Sequence, residues 1–110
     1  MTASLQTLIE PQAVPAVSTL FFTATAATSF DAVTLYNALA NAACKVTINW
    51  VPNAGAVAAS NVICEHTVLP GEVYPVFALI GHILNPGDKI YAIAATGALV
   101  NLFASGTVNS

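Results

Sequence analysis

The chain has 110 residues, enough for one domain with a real core and too few for two. Hydrophobic residues make up 56% and charged residues only 6%, where an ordinary soluble domain is roughly a quarter charged. Two lysines (Lys45, Lys89), five acids (Glu10, Asp31, Glu65, Glu72, Asp88) and no arginine give a net charge of −3, which excludes binding to a nucleic-acid phosphate backbone. A surface this poor in charge must be built from Ala, Thr, Ser and Asn. Neutral surfaces associate, so the composition points to a surface covered by partners and to a homo-oligomer. Residues 11–30 and 90–110 carry no charge, but Thr, Ser, Asn, Gly and Pro dilute both stretches. Neither reads as a membrane span, and no basic segment precedes an apolar run at the start. The expectation is a chain folded in a cytoplasm.

Residues 1–16 differ from the rest. Leu5, Leu8, Ile9 and Val14 are apolar, while Pro11 and Pro15 oppose both helix and regular sheet interior. This predicts an extended N-terminal arm whose four apolar side chains pack on another subunit. A domain over residues 17–110 follows. Residues 19–25 (TLFFTAT) are rich in Thr and aromatics, which suit a pleated surface. Residues 30–37 make a second strand, and residues 38–43 (ALANAA) have helix propensity but are too few to hold a helix alone. The clearest alternation is in residues 44–50, where Cys44, Val46, Ile48 and Trp50 read as buried and Lys45, Thr47 and Asn49 as wet. Pro52, Asn53 and Gly55 break that run, and an Ala-rich loop leads to a strand over residues 62–68. Further strands are predicted at 73–79, 89–95 and 99–105, punctuated by Pro70-Gly71, by Asn85-Pro86-Gly87-Asp88 and by Gly97. Short strands with regular turn punctuation define an all-β chain: a single antiparallel β-sandwich, immunoglobulin-like or jelly-roll-like. Its expected core includes Val46, Ile48, Trp50, Val62, Cys64, Ile90 and Val100.

No chemistry-bearing motif emerges. If residues 44–50 and 62–68 form a hairpin, Cys64 faces Asn49 and Cys44 lies near Leu69, too far apart for a disulfide; two reduced core thiols are expected. Cys64 and His66 share a strand face, but with Cys44 and His82 they match no compact zinc or copper spacing, so no metal is expected. Asp31, His66, His82 and Cys64 compose a triad only on paper, and Glu72 and Asp88 sit in turns rather than in a calcium loop. The expectation is a protein that is not an enzyme and takes no cofactor.

The run LPGEVYPVFALIGHILNPGDKIYAIAATGALVNLFASGTV, residues 69–108, resembles the C-terminal half of small structural proteins of tailed bacteriophages. The likeness lies in Pro70-Gly71-Glu72, the Gly81-x-x-Leu84 spacing, Pro86-Gly87-Asp88-Lys89-Ile90, and the final Val100-Asn101 and Ser105-Gly106. Residues 33–37, Lys45-Val46-Thr47-Ile48 and Val51-Pro52 are similar to that group as well, so the likeness spans residues 19–108. It implies a virion structural protein with no catalytic residues, located in the virion and made in the host cytoplasm. Its partners would be the major capsid protein or other virion proteins, with neither nucleic acid nor membrane. A capsid decoration or cement role leads, and a neck, tail or fibre-base part is the alternative. A carbohydrate-binding sandwich is the reading from another class, weakened by a single tryptophan expected inside.

Overall fold

A computed structural model of the chain describes residues 3–38, 42–97 and 99–109. Nine strands are present among them: β1 (Ala3–Ala13), β2 (Thr19–Thr23), β3 (Ala27–Asn37), β4 (Cys44–Val51), β5 (Val62–Val68), β6 (Val73–Pro75), β7 (Ile83–Leu84), β8 (Lys89–Ala94) and β9 (Val100–Asn109). One 3-10 turn, Ala59–Asn61, precedes β5. The helix-prone stretch 38–43 lies partly outside the described residues; Ala38, Ala42 and Ala43 are irregular.

The pairing is nested. β4 pairs with β5, β3 with β6 and β7, β2 with β8, and β1 with β9, all antiparallel, as in one long ribbon folded back on itself. Rolling that ribbon brings β9 beside β3 and β8 beside β4. Two sheets result, ordered β1-β9-β3-β6 with β7 also on β3, and β2-β8-β4-β5. If β6 and β7 count as one interrupted strand, this is the eight-stranded jelly roll with its two Greek keys. The expected sandwich is therefore present, in its jelly-roll rather than its immunoglobulin form. Pro75 explains the interruption: the chain turns through residues 77–81 before β7 resumes on β3, where a continuous strand 73–79 was expected.

The core lies between the sheets. Phe30, Val33 and Leu35 from β3 and Val100 and Leu102 from β9 face Val46 and Ile48 from β4 and Ile90 and Ala92 from β8. Phe22 meets Phe30 edge-on at 5.5 Å. Cys44 and Cys64 are both buried and free, and the observed register sets Cys64 opposite Ile48 and Cys44 opposite Val68, one step from the expected pairing.

Three sequence expectations are corrected. The N-terminal arm is a strand of the domain itself: β1 pairs with β9 from Ala3 to Ala13, and Ile9 and Val14 are buried in the chain's own core. Leu8 packs against that core too, leaving Leu5 as the one exposed member of the four predicted interface residues. Pro11 is accommodated because β1 is an edge strand and carries register shifts after Thr7 and after Ile9, so the missing N–H interrupts no interior ladder. Val62 is not core. A bulge at Ile63 places Val62 opposite Asn49 and leaves it exposed, while Ile63 packs partly inward. Trp50 does face inward, opposite Ile90, but at the end of the sandwich, where it is only partly buried.

Candidate functional site

The two outer faces of the sandwich differ in chemistry. On the four-stranded sheet, the outward rows are Leu20 with Tyr91 and Asn49, Ile93 with Thr47 and Glu65, and Lys45 with Thr67; Lys89 joins at the end beside Thr23. Both lysines of the chain therefore lie here, and Lys45 stands 3.8 Å from Glu65 in an exposed pair. Residues 52–61 also fold over part of this face. Asn49 donates from Nδ2 to the Ala58 carbonyl at 3.0 Å and to Asn61 Oδ1 at 2.8 Å, and both Asn49 and Val51 are buried. That cover is why Asn49, expected to be wet, is not.

Among the described residues, no segment covers the outer face of the five-stranded sheet in the same way. Its rows run across the strands as Leu5–Thr107–Ser29–Ile83, Thr7–Ser105–Ala32, Phe103–Thr34–Pro75 and Ala13–Asn101–Tyr36–Val73. None of these residues is charged. Two carboxylates border them: Glu10, exposed in the irregular part of β1, and Asp31, in the bulge between Phe30 and Ala32, which accepts a hydrogen bond from Thr107 Oγ1 at 2.9 Å. Leu5 (83% exposed), Val73 (62%) and Ile83 (53%) stand out from the face.

The middle of the face is hollowed. A depression of about 350 Å³ is lined by Thr7, Pro11, Ala32, Thr34, Phe103 and Ser105, and a second of about 430 Å³, sharing Thr7 and Ser105, continues to Leu5 and Asp31. The small side chains of Ser105 and Ala32 line the first depression beside the buried Ile9 and Ala104. The backbone geometry is fixed just beneath it by Gly106, because a Cβ there would collide with the Ser29 carbonyl and come within 3.0 Å of the Phe30 backbone. The close approach of β3 to β9 thus requires glycine at this position.

The titratable residues weighed from sequence do not converge. His66 and Tyr74 face each other from the edge strands of the two sheets and stack at 3.7 Å, 7° from parallel. His66 Nε2 lies 3.3 Å from both oxygens of Glu72. The Leu69 N–H, donating to Glu72 Oε1 at 2.8 Å, holds that carboxyl below its ordinary range, and His66 adds to the effect. Burial pushes the Cys64 thiol up, toward its protonated form. His82 lies elsewhere, its ring 5.3 Å from Trp50, and Asp31 is on the opposite sheet face. Among the described residues, no three His, Cys, Asp or Glu side chains come close enough to hold a metal ion.

Asp88, placed in a turn by the sequence, is the main polar tie of the sandwich end. Its carboxylate accepts from the Asn85 N–H at 3.0 Å, the Asn53 N–H at 3.0 Å and Trp50 Nε1–H at 3.2 Å. Burial pushes the Asp88 carboxyl up, but these donors, with Lys89 nearby, outweigh it and leave the pKa below the ordinary value. The arrangement is structural: it fastens the 52–61 loop and the β7–β8 turn to β4.

The strand order defines the chain as a jelly-roll β-sandwich, and the outer rows of its five-stranded sheet carry no charged side chain. No protein-family model and no curated protein matches the chain. Among solved structures, it is similar to a chain in the structure of infectious bursal disease virus, Gx strain, at 12% identity and a TM-score of 0.36. That match covers 96% of this chain and 31% of the viral one, so this chain spans less than a third of its length. The jelly-roll assignment rests on the strand order and not on this superposition.

Proposed function

We propose that the chain is a structural component of a virion, a capsid decoration or cement protein that bridges capsid subunits through the outer face of its five-stranded sheet. The observation that carries this reading is the uncharged face itself. Four rows of Thr, Ser, Ala, Asn and apolar side chains lie uncovered while both lysines sit on the opposite sheet. A face of this kind avoids the large cost of burying ions and suits close contact with a protein that hydrogen-bonds its hydroxyl and amide groups. Jelly rolls serve viral shells but also lectins and cupins, so the fold supports the reading without carrying it. The likeness of residues 69–108 to small tailed-phage structural proteins adds the bacteriophage assignment. Repetition over a shell would make a modest interface per copy sufficient through avidity.

The experiment is localisation and copy number in particles purified from the virus that encodes the chain. Many copies spread over the head facets are expected. A single ring of copies at one vertex would move the protein to the neck or tail, and absence from particles would overturn the virion reading.

A further inference from the structure

The four sheet edges are not equally protected. β6 and β7 form an edge of three and two residues, interrupted after Pro75. β2 is five residues long with a register shift between Leu20 and Phe22. β5 carries Glu65 and the bulge at Ile63. Short length, bulges and charge are the devices that stop an edge from recruiting another strand. β1 is eleven residues long, and its first half, residues 3–7, has none of them: no charge, no proline and unbroken register against β9. This half is also poorly covered in the single chain. Gln6 lies opposite buried Gly106, on the inward side, yet is exposed, and Leu5 on the outward side is 83% exposed.

We propose that residues 3–7 of β1 pair antiparallel with the same residues of a second copy of this chain, about a two-fold axis at Leu5, joining two five-stranded sheets into one. The chemistry of the segment selects its own copy. In that register Leu5 meets Leu5, Ser4 meets Gln6 and Ala3 meets Thr7, so the exposed leucines cover each other and no like charges oppose. Glu10, the one charged residue of β1, falls beyond the paired segment. The shift after Thr7 ends the pairing there, and the other protected edges prevent its continuation, so the contact closes as a dimer rather than growing into a fibre. The joined sheet also continues the uncharged face described above from one copy to the next. The proposal concerns the purified chain alone, so it stands or falls separately from the virion reading.

The test combines solution mass with cross-linking. Sedimentation of the unmodified chain is expected to give twice the mass of one chain, and Leu5→Lys, which sets two lysines face to face, is expected to give a folded monomer whose melting does not depend on concentration, while that of the unmodified dimer rises with it. Directly opposed residues in an antiparallel pair have Cα atoms about 4.5–5.5 Å apart, within disulfide reach. Leu5→Cys is therefore expected to form a covalent dimer on mild oxidation. Ile83→Cys, in the same row but on the far edge of the sheet, is expected to stay uncrosslinked. A monomeric unmodified chain overturns the proposal and leaves the edge to a strand of some other protein. A dimer in which Leu5→Cys fails to crosslink, or crosslinks no better than Ile83→Cys, overturns it as well.

Discussion

Replacing Ile9 by alanine separates a strand of the domain from a detached arm. Ile9 is 1% exposed and belongs to the main core, facing the sandwich from an edge strand whose register is shifted on either side of it. The change removes three buried carbons, worth about 2.5 kcal/mol at roughly 0.8 kcal/mol each. The cavity left behind raises the loss to about 3–4 kcal/mol, within the range of such core truncations. For a domain near this size, that corresponds to a fall in Tm on the order of 15–25 °C. Val14→Ala removes two carbons at a fully buried site and should cost about 2–3 kcal/mol. Leu5→Ala, at an 83% exposed position, should leave the isolated chain within about 0.5 kcal/mol of its parent if measured where the chain is monomeric. Urea unfolding followed by far-ultraviolet circular dichroism measures all three. If Ile9→Ala and Leu5→Ala had the same midpoint, residues 3–13 would not be held in their own sheet, and the reasoning that places β1 there would be wrong.

Other consequences are equally direct. Asp88→Asn retains one acceptor oxygen where two now serve three N–H donors, so a loss of about 2 kcal/mol is expected in the same unfolding assay. Asp88 and Glu72 both have folded pKa values below their unfolded ones, so their stabilisation is complete above the ordinary carboxylate pKa of about 4 and is lost as pH falls through the lowered values. Melting temperature should therefore be insensitive to these groups between about pH 5 and 8 and drop in acid, with a shallower drop in Asp88→Asn. Gly106→Ala forces a Cβ against the backbone of β3 and should cost about 3 kcal/mol or more, seen as poor folding or a large drop in Tm. Trp50→Ala, at a partly buried position with one hydrogen bond to Asp88, should cost about 2 kcal/mol, below the roughly 3–5 kcal/mol of a fully buried tryptophan.

Much of the sandwich is legible in the chain because short alternating runs ended by Pro, Gly, Asn and Asp leave few other structures open. β4, β5 and β8 coincide with the runs read from residues 44–50, 62–68 and 89–95 to within one residue. β1 was hidden by Pro11 and Pro15, which do bar an interior strand but not a bulged edge strand. Alternation also fails where the cover comes from elsewhere in the chain. Asn49 looks like a wet-face residue in its own strand, and only the return of residues 52–61 buries it. The uncharged face could not be read locally for the same reason. Its first row gathers Leu5, Thr107, Ser29 and Ile83 from four distant segments, and their adjacency follows from rolling the ribbon, not from any spacing along it. The scarcity of charge was visible from composition; the gathering of both lysines on one sheet was not.

The sheet face without charged rows is proposed as the contact surface in an assembled particle. A double substitution Thr34→Lys with Ser105→Lys puts two charges into the hollow and replaces no buried residue, while Thr67→Lys changes the opposite sheet as a control. Co-sedimentation of each purified variant with particles that lack the protein measures binding directly. Loss of binding by the double variant, with Thr67→Lys and the unmodified chain bound alike, is the predicted result. Full binding by the double variant, or loss of binding by Thr67→Lys alone, would contradict the account.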